Sequence, residues 1–317
     1  MFLFKDITIF VIIMVGDNMR FVCIGHSTYD ITLPVKEYPE ENKKIRIPNH
    51  IECGGGPASN GAYLLAKWGM NTTMVSIVGD DHYGHQVIKE YEEIGVNTRY
   101  VEINKNHRTS SSYIIANTSN GSRTILSSKK QSIRRLEMPV SDIIADAILI
   151  DGEHPESAYE IFMNNPDAIS VIDAGRLNDE TKFLGKKATY VICSKDFAED
   201  FAEEEIDLNR IDRLIEIHKK LEEYYETCVI ITLEAAGSFT KIDGEYQIIP
   251  SVKVKAVDTT GAGDIFHGAF LYFIANGYSL YESIHYASIT SAISVTRIGS
   301  RFSIPMLSEV LEYENAI

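Results

Sequence analysis

From Phe21 onward the chain alternates short apolar runs with longer segments of helical period, and no other feature constrains its fold so tightly. The apolar runs, residues 21–25, 74–79, 148–151, 171–173, 190–193 and 229–233, are too short for helices and too uniformly hydrophobic for strands with one wet face. They predict strands buried on both sides, as in a parallel sheet. Between them, residues 57–68 close at Gly69, residues 83–94 close at Gly95, and residues 208–225 repeat apolar side chains at helical spacing. Gly at the end of such a repeat is a helix stop. The expected fold class is α/β, a three-layer, doubly wound, mostly parallel sheet. Two stretches break the rhythm. Ile45, Ile47 and Ile51 alternate with polar residues, and residues 109–126 resemble a hairpin turning at Asn120-Gly121. They predict a small β-strand lid, from about residues 31–53 and 107–126, covering a substrate cleft.

With 317 residues, 44% of them hydrophobic, the chain can bury one large domain or two unequal ones. Forty-five acidic against thirty basic residues leave a net charge of −15, which repels nucleic acid and anionic membrane headgroups. Neither is an expected partner. An anionic substrate must then be met by local devices: magnesium, a helix N-terminus and a few cations. Cys23, Cys53, Cys193 and Cys228 form no C-x-x-C pair and read as reduced, buried thiols of a cytoplasmic protein. The apolar run at residues 7–15 is too short to span a bilayer and lacks a signal-peptide cleavage site. Residues 1–18 are therefore read as an extension ahead of a folded body at 19–317, with an additional edge strand or a membrane-proximal anchor as the alternatives. Four basic residues within 129–135 read as a solvated loop.

The chemistry concentrates in Val257-Asp258-Thr259-Thr260-Gly261-Ala262-Gly263-Asp264-Ile265-Phe266, which follows the alternating Val252, Val254, Val257 pattern. Phe266, Ala269, Phe270, Phe273 and Ile274 continue it as a helix that Gly277 stops. Gly261, Ala262 and Gly263 thus fall at a helix N-terminus, where free N–H groups and the dipole attract a phosphoryl group. Small residues let the backbone itself approach the anion. Asp264, on the first turn, is placed to take a proton from an attacking hydroxyl. The bland alternative is an Asp that only complements the helix dipole. No Walker A motif, protein-kinase H-R-D or D-F-G, or H-E-x-x-H is present to support a competing chemistry. Tyr272, Phe273, Tyr278 and Tyr281, which crowd the same region, read as core packing rather than purine stacking.

Residues 258–266 resemble D-T-x-G-A-G-D-x-F, the signature of the ribokinase-like, or PfkB, carbohydrate kinases. Gly54-Gly55-Gly56-Pro57-Ala58-Ser59-Asn60, with Gly69, Val78-Gly79-Asp80-Asp81 and Gly84, resembles the family's first signature. The likeness runs from about Phe21 to about Val310 and implies a ribokinase-like fold, ATP as phosphoryl donor, Mg²⁺ as cofactor and a small sugar as acceptor. It makes Asp264 the catalytic base and Gly261 to Gly263 the anion hole. Asp30, Gly56 and Asn60 become substrate-binding residues, although Asn60 alone reads equally as a cap or core amide. Thr232 and Gly237 match the nucleotide-binding segment, with Glu234 where a glycine is usual. Asp258, Thr260, Ser294, Arg297, Gly299 and Ser303 match a loop that holds a monovalent cation, K⁺, in many members. By themselves residues 294–299 read only as a helix end and turn.

The usual N-x-x-E is absent from residues 193–198. That segment and residues 109–125 are similar to the ketohexokinase-like and sulfofructose-kinase-like branches, which tilts the expected substrate toward a ketose derivative. Pro57 and Asn42 depart from the ketohexokinase pattern and argue against fructose itself. A nucleoside kinase of the same fold and a catalytically silent sugar-binding module remain the alternatives. The half-apolar lid strands need cover, which a homodimer would supply.

Overall fold

A strand buried on both faces must send alternate side chains into two different cores, and β1 (Arg20–Ile24) does so. Phe21 and Cys23 enter one core while Val22 and Ile24 enter the other. The computed structural model describes residues 19–129 and 133–314. After β1 come β2 (Thr28–Val35), β3 (Ile51–Gly55), α1 (Pro57–Lys67), β4 (Asn71–Gly79), α2 (His82–Ile94), β5 (Asn97–Asn104), β6 (Ser110–Asn117) and β7 (Arg123–Ser128). The middle of the chain holds β8 (Ala147–Ile150), α3 (Pro155–Asn164), β9 (Ile169–Ala174), α4 (Asp179–Gly185), β10 (Tyr190–Ser194), α5 (Lys195–Ala202) and α6 (Ile211–Tyr225). It closes with β11 (Cys228–Thr232), β12 (Ser238–Ile242), β13 (Glu245–Ile249), α7 (Ala262–Ala275), α8 (Leu280–Ser294), α9 (Ser300–Ser303) and α10 (Leu307–Glu314).

The large sheet runs β13-β12-β11-β10-β9-β8-β1-β4-β5. Its pairings are parallel from β5 to β11 and antiparallel through β12 and β13. One core holds side chains of α1, α2, α7, α8 and α10, and the other holds those of α3 to α6. The three-layer α/β arrangement expected from the apolar runs is therefore the observed one. Helix α7 has Phe266, Phe270 and Phe273 buried along with most of its other side chains. Tyr272 and Phe273 meet Trp68 edge-on, Tyr278 meets Phe273 and Tyr286 edge-on, and Phe273 stacks on Tyr286, whereas Tyr281 is exposed.

A second sheet, β3-β2-β6-β7, is mixed: β2 pairs parallel with β6 and antiparallel with β3. The hairpin between β6 and β7 turns through Asn120 and Gly121, the latter at φ +76°. The alternation at Ile45 and Ile47 makes no strand. Pro48 interrupts it without an N–H to donate, Ile45 is exposed, and pairing with β2 begins only at Ile51, opposite Thr32.

Two other expectations need correction. Residues 251–258, including Val252, Val254 and Val257, form no strand, because Pro250 ends the ladder after Ile249. Helix α6 starts at Ile211 rather than 208, since the Asp207 carboxylate accepts from the Asn209 amide (2.9 Å) and makes a turn there. The basic residues Lys129, Arg134 and Arg135 are exposed outside any helix or strand, as expected, and make surface ion pairs: Lys129 meets Glu153, Arg134 meets Glu156 and Glu180, and Arg135 meets Glu160. The apolar run at 7–15 lies outside the described residues. All four cysteines are free thiols, with Cys228 half-buried and the others buried. No helix among the described residues is long and apolar enough to cross a membrane.

Candidate active site

The glycine turn before α7 does what its sequence implies. Gly261 adopts φ +75° as the residue preceding the helix, a conformation that disfavours a side chain. A Cβ placed on Gly263 would meet no protein atom within 4 Å, so that backbone faces open space. Together with the free N–H groups of a first helical turn, this is a cradle of the kind an anion occupies. Asp264 follows, and Asn60 Nδ2 donates to its Oδ2 at 2.7 Å. The other carboxylate oxygen has no protein hydrogen bond among the described residues.

What brings Asn60 to Asp264, 204 positions away, is a glycine contact between helices. A Cβ on Gly268 would lie 2.9 Å from Gly61 Cα, and one on Gly61 would lie 2.2 Å from Leu149 Cδ2. A side chain at Gly268 would push α1 and α7 apart, and one at Gly61 would drive into Leu149 of β8. Pro57 opens α1, with Gly56 at φ +103° before it. A Cβ on Gly56 would stand 2.2 Å from the His26 carbonyl. Gly56 is thus demanded by the turn itself.

Asp30 lies on β2 opposite Cys53 and Ser112, with Gly55 so close that an added Cβ would fall 2.0 Å from its Oδ2. Burial raises its carboxyl to about 7; Ser112 and Arg301 oppose the rise, while Asp264 and Glu90 add to it. Two acceptors in this region, Asp30 Oδ1 and Asn60 Oδ1, are buried without a hydrogen-bond partner. Unpaired acceptors are costly in a folded interior. A ligand that donates hydroxyls would satisfy both.

Behind the glycines lies a cation that sequence reasoning did not single out. Arg301 is 2% exposed and donates to Glu90 Oε2 and to Ser59 Oγ, each at 2.6 Å. Its guanidinium packs over the rings of Tyr91 and Tyr63, and it would clash with any Cβ on Gly54. Glu90 also accepts from Gly54 N at 2.9 Å. Asp151 was missed too: burial and Glu153 raise it to about 7, against amide donation from His26, Ala58 and Glu153.

Of the residues matched to a monovalent-cation loop, the structure gathers Asp258, Thr260 and Gly299. Asp258 Oδ1 accepts from Thr260 N (2.9 Å) and Oγ1 (2.6 Å), and its Oδ2 accepts from Gly299 N (2.9 Å). The side chains of Ser294 and Ser303 bond to backbone carbonyls of Ser291 and Ser300, and Arg297 is ion-paired with Glu309. Their side chains do not join Asp258, so only their main-chain carbonyls would be left to serve a cation. No group of three or more His, Cys, Asp or Glu that could hold a metal stands among the described residues. Magnesium fits here as an ion carried by nucleotide phosphates with most of its water, its usual manner.

Thr232 ends β11, where its hydroxyl bonds to the Cys193 carbonyl (3.3 Å). Gly237, at φ +109°, closes the turn after it, and a Cβ there would lie 2.0 Å from Ile249 O. Glu234 in the same turn takes φ +53°, a conformation in which a glycine costs least, and so carries local strain. Where the resemblance calls for N-x-x-E, Ser194 caps α5 by accepting from Phe197 N (3.0 Å), and Phe197 is buried in the core. The glutamate position of the motif is thus taken by an apolar side chain, and the nearest carboxylate on that turn is the exposed Asp196.

Gly263→Val should test the cradle. An added Cβ meets no neighbouring atom within 4 Å, so the melting temperature should change little. Turnover should fall on the order of 10²–10³-fold, as for a lost oxyanion-hole donor. Wild-type kcat in this variant would place the cradle elsewhere.

Residues 19–307 match the model of the pfkB family carbohydrate kinases. The Schizosaccharomyces pombe ribokinase is 28% identical, covering 92% of this chain and 96% of its own. A Methanocaldococcus jannaschii nucleoside kinase is 24% identical over 94% of this chain and 98% of its own. The crystal structure of Thermotoga maritima ribokinase superposes with a TM-score of 0.75 at 26% identity, covering 94% of this chain and 99% of that one. Its fold, its two signatures and the family match across 19–307 agree: this chain belongs to the pfkB family of carbohydrate kinases and is an ATP-dependent kinase.

Proposed function

We propose that the protein transfers the γ-phosphoryl group of ATP to a hydroxyl of a small polyhydroxylated sugar or sugar derivative, with Asp264 as general base. The observation that carries this reading is the pair of buried, unpartnered acceptors, Asp30 Oδ1 and Asn60 Oδ1, beside Asp264. Adjacent hydroxyls of a sugar supply the two donors. The acceptor hydroxyl then points at the free oxygen of Asp264 and gives it a proton as it attacks. The helix N-terminus at Gly261, Ala262 and Gly263 stabilises the charge on the transferring group. Magnesium, when bound with the nucleotide, neutralises phosphate charge. Thr232 and Gly237 border the proposed nucleotide site. The small sheet acts as the lid, with Asp30 on its inner face and exposed Tyr113, Ile125 and Leu126 toward a second copy of the chain.

A nucleoside acceptor is the second reading, favoured by the M. jannaschii relative named above; its ribose offers the same hydroxyl pair. An intact Asp264 within a full signature weighs against a silent binding module. ATP consumption over ketoses, aldoses, sulfosugars and nucleosides separates the three. A free sugar should give the highest kcat/KM; a nucleoside ahead by more than about tenfold would replace the first reading with the second. Turnover should require Mg²⁺. The Asp258 loop predicts stimulation by K⁺, and equal rates in K⁺ and a bulky organic cation would remove that part.

A further inference from the structure

One buried titratable pair, directly behind the glycine cradle, has no place in the mechanism above. His267 sits one turn after Asp264 on α7, nearly buried. Its Nδ1 lies 2.6 Å from the Gly263 carbonyl oxygen and 3.1 Å from Asp173 Oδ2; its Nε2 lies 3.2 Å from the Ile192 carbonyl oxygen. Each ring nitrogen therefore faces groups that only accept. A neutral imidazole carries one N–H and one lone pair, so either tautomer would set a lone pair against a carbonyl oxygen. Only the imidazolium satisfies both sides. The charged groups around it are Asp173 from β9 and Asp264 on its own helix, while β10 presents the Ile192 carbonyl.

We propose that His267 is a standing imidazolium and a positioning residue. One N–H grips the Gly263 carbonyl and the other ties α7 to β10, Asp173 balances the charge, and the cradle and Asp264 are thereby fixed with positive potential behind them. Burial pushes the Asp173 carboxyl above its ordinary range, while His267 pulls it down. Two carboxylates, Asp173 and Asp264, repel across this region, and the imidazolium between helix and sheet offsets that repulsion. The role assigned to the cradle rests on the kinase reading above. The protonation state does not.

Two measurements decide it. In the unmutated protein labelled with ¹⁵N-histidine, the His267 ring, assigned by comparison with His267→Gln, should show both nitrogens protonated at neutral pH. A single protonated nitrogen would overturn the proposal whatever the enzyme does. His267→Gln, which can donate to one carbonyl but carries no charge, should lower kcat on the order of 10–10²-fold, as for a displaced catalytic group. The KM values for ATP and acceptor should stay within about threefold. A kcat within about twofold of wild type would overturn the positioning role. Failure of Asp264→Asn to lose turnover would instead strike the kinase mechanism and leave the ring protonation standing.

Discussion

Asp264→Asn is expected to lower kcat on the order of 10²–10⁴-fold, the usual span for losing a general base. The amide has nearly the shape of the carboxylate, and its oxygen can still accept from Asn60 Nδ2, the contact now made at 2.7 Å. The α1–α7 packing at Gly61 and Gly268 lies a full turn away and has no reason to change. What the amide cannot do is accept the proton of an attacking hydroxyl. Melting temperature and ATP affinity should therefore stay near wild type, while kcat and kcat/KM fall together, the signature of an interaction made only in the transition state. Steady-state kinetics with the best acceptor, alongside thermal melts with and without ATP, provide the check. A variant that keeps most of its kcat would leave Asp264 as a helix-dipole residue and end the mechanism.

The layers of the fold were legible because a strand covered on both faces has to be almost wholly apolar. Residues 148–150 and 229–231 admit few other structures. The glycine turn before α7 was legible for a similar reason, since a glycine turn entering a helix is a local geometry with a local signature. Alternation alone misled at Ile45 and Ile47, where period-2 patterning had no partner strand to pair with. The β12–β13 hairpin was overlooked although Asp243-Gly244, both at positive φ, is a strong two-residue turn signal. Other features could not be read locally at all. Arg301 meets Glu90 across 211 positions, and Asp173 meets His267 from a different element. Nothing in either residue's neighbourhood marks it as a partner. Gly61 and Gly268 looked like ordinary helix residues, yet their contact is what delivers Asn60 to Asp264.

Asp30→Ala is expected to raise the KM for the acceptor while leaving that for ATP nearly unchanged. A carboxylate accepts from two neighbouring hydroxyls, and a substrate that arrives without its partner loses about 1–3 kcal/mol per hydrogen bond to a charged group. That corresponds to roughly 5- to 150-fold in acceptor KM. The pH dependence follows from burial, which lifts this carboxyl to about 7. As pH falls through that value the group gains a proton and gives up acceptor capacity, so acceptor KM should rise toward acid pH in the wild type. Asp30→Asn should flatten the profile. Stability runs the other way. A folded-state value above the unfolded one means that the empty protein gives up stability as pH rises from near 4 through about 7. Removing the carboxylate relieves that cost, and Arg301 keeps its pairing with Glu90. Asp30→Ala should thus melt no lower than wild type at neutral pH even as it binds acceptor poorly, which separates a binding defect from misfolding. If acceptor KM were unchanged, or rose in step with a collapse of the melting temperature, Asp30 would be a structural residue of β2 and the hydroxyl-binding pocket would have to be sought elsewhere.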